Sequence, residues 1–371
     1  MRLKHLLCAL LSLYGSFGLL AQVANPGLSE QTDTATGAEV RLIGLLDVYF
    51  GYDFNEPQNN QRPYAVSSAD HNRLSVNMAY LGVTYKKENL RARFIPAFGT
   101  YMNANYADEQ GSLRFLHEAN AGVRLSRKGE IWLDAGVIGS PYTHESAVSK
   151  DHFLYTRALA PEYVPYYLSG LKLSANAGKK LKLYGYVLNG WQVISDNNTY
   201  PAFGTQVEYR PGKRWLLNLN TYAGNEERPG NLNQRWRYLV DAYIIYNPDG
   251  EVGFTASFYS GWQERLEMNV LRTYQWWQAN AAVKFKITEN DFMAMRLEYF
   301  RDPQMIMIRP ITDVQGFAAG SSTLGYSRQI GKNAMARLEY RYFFSQNGIF
   351  RDGQNLVGES HLLISTLCFW F

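Results

Sequence analysis

The sequence predicts an all-β protein, a transmembrane antiparallel up-and-down β-barrel of about sixteen strands with both termini periplasmic. Three observations carry this. The chain ends inside an apolar, aromatic strand; tight turns alternate with long polar loops; and an export signal precedes a chain with no apolar run long enough for a membrane helix.

The last stretch, residues 360–371, reads SHLLISTLCFWF, with no charge after His361 and Phe371 as its final residue. On a soluble domain such an edge would be exposed and sticky. In a closed barrel the final strand pairs with the first, and Phe369, Trp370 and Phe371 sit at the lipid–water boundary. At the other end, Arg2, Lys4 and His5 precede an apolar run over 6–20 and then Ala21. Residues 1–21 are read as a secretory signal, too short and wrongly flanked for an anchor. Cys8 heads that run, which argues against a lipid-modified N-terminal cysteine. Residues 22–38, with Pro26 and Gly27, are read as a flexible periplasmic lead-in, and 39–371 as the barrel.

Without the signal, 35 basic residues face 33 acidic ones, which gives no case for nucleic acid. Cys368 is then the only cysteine, so no intrachain disulfide is expected. Mean hydropathy of −0.31 would suit a soluble protein, but alternating strands keep the average low in barrels too. Aromatic residues at 15%, 27 of them Tyr, fit a barrel with interfacial girdles.

From residue 39 onward the chain divides into period-two segments of roughly ten to fifteen residues, the pattern of strands. Tight turns are read at 86–89, 126–129, 178–180, 210–213, 247–250, 288–291 and 330–333. Pro211-Gly212 suits a type II turn, and Pro248 with Gly250 suits another reversal. Longer connections are read at 55–72, 103–114, 143–164, 195–201, 225–235, 265–273, 304–317 and 347–358. Short connections on one side and long ones on the other give an even-stranded barrel.

Within strands, Leu90, Ala92, Phe94 and Phe98 share one face, and Arg91 and Arg93 take the other. Aromatics near the tight turns (Tyr85, Trp132, Tyr209, Trp215, Tyr246, Phe285, Phe292, Tyr326, Trp370) are read as one girdle. Those near the long loops (Tyr101, Tyr142, Trp191, Tyr222, Trp236, Trp262, Tyr274, Trp276, Tyr342) are read as the other.

Charges are costly in lipid, so the charged face lines the lumen. It carries Arg91, Arg93, Arg124, Arg210, Arg237, Lys284, Lys286, Arg296, Arg337 and Arg341, against Glu118, Asp134, Glu208, Asp241, Glu298 and Glu339. Two readings stand: a basic surface giving weak anion preference, or cross-strand pairs that hold the wall together. A barrel of about sixteen strands is wide, and something must narrow it. The longest loop, 143–164, is the candidate, because it mixes Phe153, Leu154 and Leu159 with Glu145, Lys150, Asp151 and Arg157. An exposed surface loop is the alternative.

Several strings then resemble a known family: DVYFGYDFN at 47–55, HNR at 71–73, NMAYLGVTY at 77–85 and GTYMNANYADE at 99–109. So do DAGVIGSPYTHESAVSKDH at 134–152, TRALAPEYVPYYLSGLKL at 156–173 and LNGWQ at 188–192. Together they resemble the β-barrel porin-2 family, the OmpL-like porins, from about Asp47 to the C-terminus. The resemblance implies an integral outer-membrane channel, with a Tyr-rich, plug-free style similar to that of Bacteroidetes-type bacteria. It supplies no substrate or catalytic residue. The terminal Phe371 is similar to the mark that barrel-insertion machinery reads.

Among the histidines, His361 and its neighbour Ser360 lie on opposite faces, and His117 is read as facing lipid without a serine partner. The set His144, Glu145, Asp151 and His152 matches no zinc spacing. No catalytic residue, metal or cofactor is expected. Mid-strand Gly82, Gly185 and Gly253 are read as easing sheet curvature. The expectation is passive diffusion of small hydrophilic solutes or ions, with outer-membrane lipid around a homotrimer. A closed barrel acting as scaffold or adhesin, and a barrel lipid hydrolase, remain as alternatives.

Overall fold

Every backbone N–H and C=O in hydrocarbon must be satisfied within the protein, and this chain does so by closing a sheet on itself. The computed structural model describes residues 31–33, 37–126, 130–196, 198–247 and 251–371. Its first eight barrel strands are β1 (Ala38–Asp53), β2 (Leu74–Lys87), β3 (Leu90–Phe98), β4 (Leu116–Arg124), β5 (Ile131–Gly139), β6 (Tyr167–Asn176), β7 (Leu181–Leu188) and β8 (Ala202–Tyr209). The others are β9 (Trp215–Asn225), β10 (Gln234–Tyr246), β11 (Val252–Glu267), β12 (Val270–Lys286), β13 (Asp291–Asp302), β14 (Phe317–Ile330), β15 (Ala334–Phe344) and β16 (Glu359–Trp370). Each pairs antiparallel with its neighbours in sequence. The ring closes where β16 meets β1, from Leu362 opposite Asp53 to Trp370 opposite Leu45. Phe371 completes the seam, exchanging backbone hydrogen bonds with Gly44 at 3.1 Å in both directions.

A short strand, Gln31–Asp33, runs back antiparallel to the start of β1. The rest of the expected lead-in, apart from Gly37 and Ala38, lies outside the described residues, as does the whole expected signal. The turns at 126–129 and 247–250 are described only at Ser126 and Asn247.

Residues 265–273 do not form the expected long loop. The hairpin of β11 and β12 continues to Glu267 and Val270, and only Met268 and Asn269 turn between them. Both have positive φ, 49° and 63°, the conformation whose twist matches a two-residue hairpin. Arg265, Glu267 and Arg272 stand instead at the rim of two long strands. The remaining long connections carry little regular structure: a helix at Thr100–Asn105, a turn of helix at Leu159–Glu162 and a hairpin of Phe350–Asp352 with Asn355–Val357.

Registry decides the faces. Asp47 stands opposite Met78, Arg91 opposite Lys86 and Asp134 opposite Lys172, all with inward parity. Leu81, Phe94, Leu217, Phe258, Met295 and Leu297 alternate with the inward residues and are exposed, forming the lipid face. The girdles need correction. Tyr85, Tyr209, Trp215, Tyr246, Phe285, Tyr326, Trp236, Trp262 and Tyr342 do point outward. Trp132, Phe292, Trp370, Tyr222, Tyr274 and Trp276 have inward parity, and Tyr101, Tyr142 and Trp191 belong to loops packed inside. Nearness to a turn sets height in the membrane, whereas parity sets the face.

His117 is a second correction. A bulge at Ile95/Pro96 places two β4 residues against one, and His117 turns inside to stack on Tyr80 with ring centroids 6.1 Å apart.

Gly136 and Gly170 face each other across β5 and β6, with φ of 125° and 146°. A Cβ on Gly136 would lie 2.2 Å from the Ala119 carbonyl oxygen, whereas nothing stands within 4 Å of one on Gly185. Gly136→Ala should therefore destabilise the barrel by about 1–3 kcal/mol, with Gly185→Ala close to wild type. The midpoint temperature at which the folded band converts to the unfolded band on a denaturing gel checks this; equal midpoints would refute it.

Candidate functional site

The lumen is built from the inward face of the sixteen strands and one loop, 140–166, that crosses it. The loop is tied along its length to one side of the wall. Asn220 Nδ2 donates to the Pro141 carbonyl at 2.8 Å, and the Thr143 amide donates to Asp241 at 2.9 Å. Ser149 Oγ donates to Asp47 at 3.0 Å, and the Tyr155 amide to Glu339 at 2.7 Å. Arg337 donates to the carbonyls of Ser149 and His152, at 2.7 and 2.9 Å. Arg341 donates to that of Arg157 at 2.8 Å, and the Leu159 amide donates to Glu298 at 2.5 Å.

At the centre, Arg296 pairs with Glu145 at 3.0 Å and donates to the Thr156 carbonyl at 2.5 Å. Its side chain is 0% exposed, and that of Glu145 is 5% exposed. Arg341 pairs with Glu298 beside it. Apolar groups fill in around these contacts. Phe153 lies under Lys284, whose Nζ is 4.7 Å from the ring centroid, and it occupies the space where a Cβ on Gly253 would stand. Leu154 uses the same absence at Gly325. Gly253 thus makes room for the loop, a reason that strand patterning alone does not reveal.

The sixteen charged residues expected to face inward all have inward parity, but they divide into two groups. Arg237, Asp241, Arg296, Glu298, Arg337, Glu339 and Arg341 are buried. Most of these hold the loop, while Arg237 packs on Trp191 with its guanidinium 4.7 Å from the ring centroid. Facing them across the lumen, Arg91 pairs with Asp134 at 2.5 Å, Arg93 with Glu118 at 2.6 Å and Arg210 with Glu208 at 2.7 Å. Lys284 donates to Asn247 at 2.8 Å, and Lys286 pairs with Glu289 at 2.7 Å. Arg124 stands over Trp132 at 5.1 Å, and Arg91 over the same ring at 4.4 Å. Lys172, absent from the expected set, lies 3.8 Å from Asp134. Its strand begins with an apolar run, so its parity shows only in the pairing with β5.

Of the loop charges, Glu145 and Arg157 are buried, and Arg157 pairs with Glu162 at 3.3 Å. Lys150 and Asp151 pair with each other at 2.5 Å on the loop's open side. That side borders a cavity of about 280 Å3 whose opposite wall includes Tyr80, Arg93, His117 and Glu118. The loop end is not plug-free. Tyr64, Leu159, Val164, Ile308 and Phe350 from the loops join Tyr259, Trp276, Phe300 and Phe317 of the wall in one apolar cluster.

The histidines show no nucleophile pairing. His71 accepts from the Asp53 amide at 3.0 Å, His361 bonds Tyr340 at 2.5 Å, and among the described residues no serine is bonded to a histidine ring. No group of three metal-ligand side chains converges among the described residues.

Protonation of the loop follows from its burial. Burial alone would raise the Glu145 carboxyl, but the Arg296 guanidinium outweighs it and holds it down at about 2. Burial pushes His152 down to about 3 against the pull of Glu145, with Arg157 and Arg337 pushing the same way. Burial also lowers His144. An undocked histidine takes up its proton near pH ~6.5. Above that pH docking does not depend on His152. Below it, docking weakens by about 1.4 kcal/mol per pH unit, until His152 titrates in place near 3.

Two outcomes follow. Arg296→Met leaves Glu145 buried without its guanidinium partner, an effect of about 3–5 kcal/mol, so trypsin should cut the folded barrel after Lys150 or Arg157 where wild type resists. Unchanged resistance would mean that this pair is not the anchor. Conductance of the wild type should rise as pH falls from 6.5 to 4.5, and His152→Gln should flatten the profile; a profile unaffected by the substitution would exclude His152 as the sensor.

Comparison with known proteins agrees with this geometry. The fold is similar to the outer membrane channel DcaP of Acinetobacter baumannii, with TM-score 0.61 and 11% identity over 92% of this chain and 100% of that one. It is also similar to an anion-selective porin from Comamonas acidovorans, with TM-score 0.58 and 12% identity over 90% and 100%. A trimer form of OmpT of Vibrio cholerae matches with TM-score 0.58 and 11% identity over 90% and 99%. No curated protein matches the sequence. The family model described as "Putative beta-barrel porin-2, OmpL-like" matches residues 39–371, and the chain belongs to that family: it is an integral outer-membrane porin, a channel for passive diffusion.

Proposed function

We propose that solutes pass between the loop 140–166 and the wall formed by β2 to β8, with the loop as the constriction. The observation that supports this reading is the one-sided docking of the loop. It covers β9 to β15 and leaves water-facing charge on the other half of the ring. There Arg91, Arg93, Lys172 and Arg210 stand beside Glu118, Glu208 and the buried Asp134, while Lys284 and Lys286 stand on β12 near the tight turns. Cations outnumber acids on that wall, where Lys86, Arg124 and Lys182 also have inward parity, which favours anions weakly. Both termini lie on the periplasmic side, where the short connections are, and the assembly is a homotrimer with no catalytic role.

A second reading has its own support: the apolar cluster at the loop end would suit a closed barrel that presents its loops as a scaffold. Conductance in a planar bilayer separates the two. Refolded protein should give ohmic steps with a small anion preference, and Arg91→Gln with Arg93→Gln should move the reversal potential toward cations. Arg337→Gln, whose partners are loop carbonyls, should instead raise conductance with little change in selectivity. A folded barrel that never conducts favours the scaffold, and a reversal potential unmoved by the first pair refutes the assignment of charge to that wall.

A further inference from the structure

On the other face of the same loop, toward the long connections, lies a second cavity of about 440 Å3 that no part of the channel reading requires. Val164 and Tyr166 border both cavities, so they form the partition between the loop-side cavity and the constriction. A concave site of this size, with mixed apolar and polar walls, suits a small molecule.

Its polar lining is one-sided. Asp108, Glu109, Glu162, Asp196 and Glu226 line it against Arg228 and Arg237. Two of these acids are engaged elsewhere: Glu109 accepts from Tyr167 and the Ile194 amide at 2.8 and 2.6 Å, and Glu162 from the Val66 and Ser67 amides, both at 2.9 Å. Arg237 is buried and donates to Gln263 at 2.8 Å. Asp108 and Asp196 remain exposed, and Glu226 meets only the Tyr222 hydroxyl, at 2.7 Å. One exposed cation, Arg228, stands against three carboxylates.

The amides sharpen this. Gln192 is used at both ends, donating to the Asn105 carbonyl and accepting from the Tyr166 amide, each at 3.0 Å. Asn105 is only 4% exposed; its Nδ2 donates to the Tyr101 carbonyl at 2.9 Å, and its Oδ1 has no partner. A buried carbonyl oxygen without a donor is a deficit that a ligand N–H or O–H would remove. The groups left to meet a guest are therefore mostly acceptors. Trp191, Tyr163 and Tyr166 add aromatic walls, with Arg237 already over the Trp191 ring and Arg157 over that of Tyr166.

We propose that this cavity is a binding site for a small organic cation rich in hydrogen-bond donors, of the kind represented by an amine-bearing sugar. Its ammonium meets Asp108, Asp196 and Glu226, and one donor meets Asn105 Oδ1. The mouth of the channel thus selects for cations, opposite in sign to the wall near the tight turns, and the two ends of one lumen recruit different solutes. The site stands on the loop end of the fold and does not rest on conduction.

Three solutes of nearly one size test it: glucosamine, glucose and gluconate, titrated calorimetrically into the full refolded protein in detergent. Glucosamine should bind saturably and about tenfold or more tighter than glucose, and gluconate should give no saturable heat. Asp108→Asn with Asp196→Asn, both exposed and outside the barrel wall, should weaken glucosamine about tenfold. Asn105→Leu should weaken glucosamine and glucose alike, because it removes an uncharged acceptor. Equal binding of glucose and glucosamine, no binding of glucosamine, or indifference to the double substitution would each overturn the proposal. A barrel that binds glucosamine without conducting would defeat only the channel reading, and one that conducts without binding would defeat only this site.

Discussion

The structure depends on one constraint: a sheet in hydrocarbon can have no unpaired edge. It requires β16 to meet β1 and places Phe371 against Gly44 at the seam. Once the ring is closed at sixteen strands, the interior is wider than its own side chains can fill. Everything inside the barrel answers that second problem. The loop 140–166 brings both signs of charge and several large apolar groups into a space that would otherwise be water.

The cost of that arrangement is the burial of charge, and it is met by pairing and by the backbone of the loop. Arg296, Arg337 and Arg341 share Glu145, Glu298 and loop carbonyls, so few of their donors are left without partners. A buried network of this type gives one loop position a large advantage over others, because moving the loop strands several charges at once. The two histidines within it carry no charge in the docked state, which makes the network sensitive to acid.

The same docking gives the lumen its asymmetry. On the proposed reading, one side of the loop faces the wall of β2 to β8, where cations outnumber acids, and the other faces a cavity lined by carboxylates from the long connections. A channel with opposite charge at its two ends has weak net selectivity while still acting on charged solutes locally. Its family membership accounts for the barrel and the passage. The distribution of charge around the loop is specific to these residues.

Strand number, closure and most turns were legible in the sequence, because they follow from period-two alternation and from turn chemistry, both local. The exceptions are local rules overridden: Met268-Asn269 made a tight hairpin where a longer connection was expected, and a bulge turned His117 inside. What sequence could not separate was an inward residue that meets water from one covered by the loop. Arg93 and Arg341 alternate in the same way along their strands, yet one borders the open cavity and the other is buried under residue 157. Likewise Trp132 and Trp215 both stand near tight turns, and only their pairing partners put one inside and one in the lipid girdle. Periodicity along one strand reports its face, but which part of that face is covered depends on segments more than a hundred residues away, and only the tertiary structure brings those together.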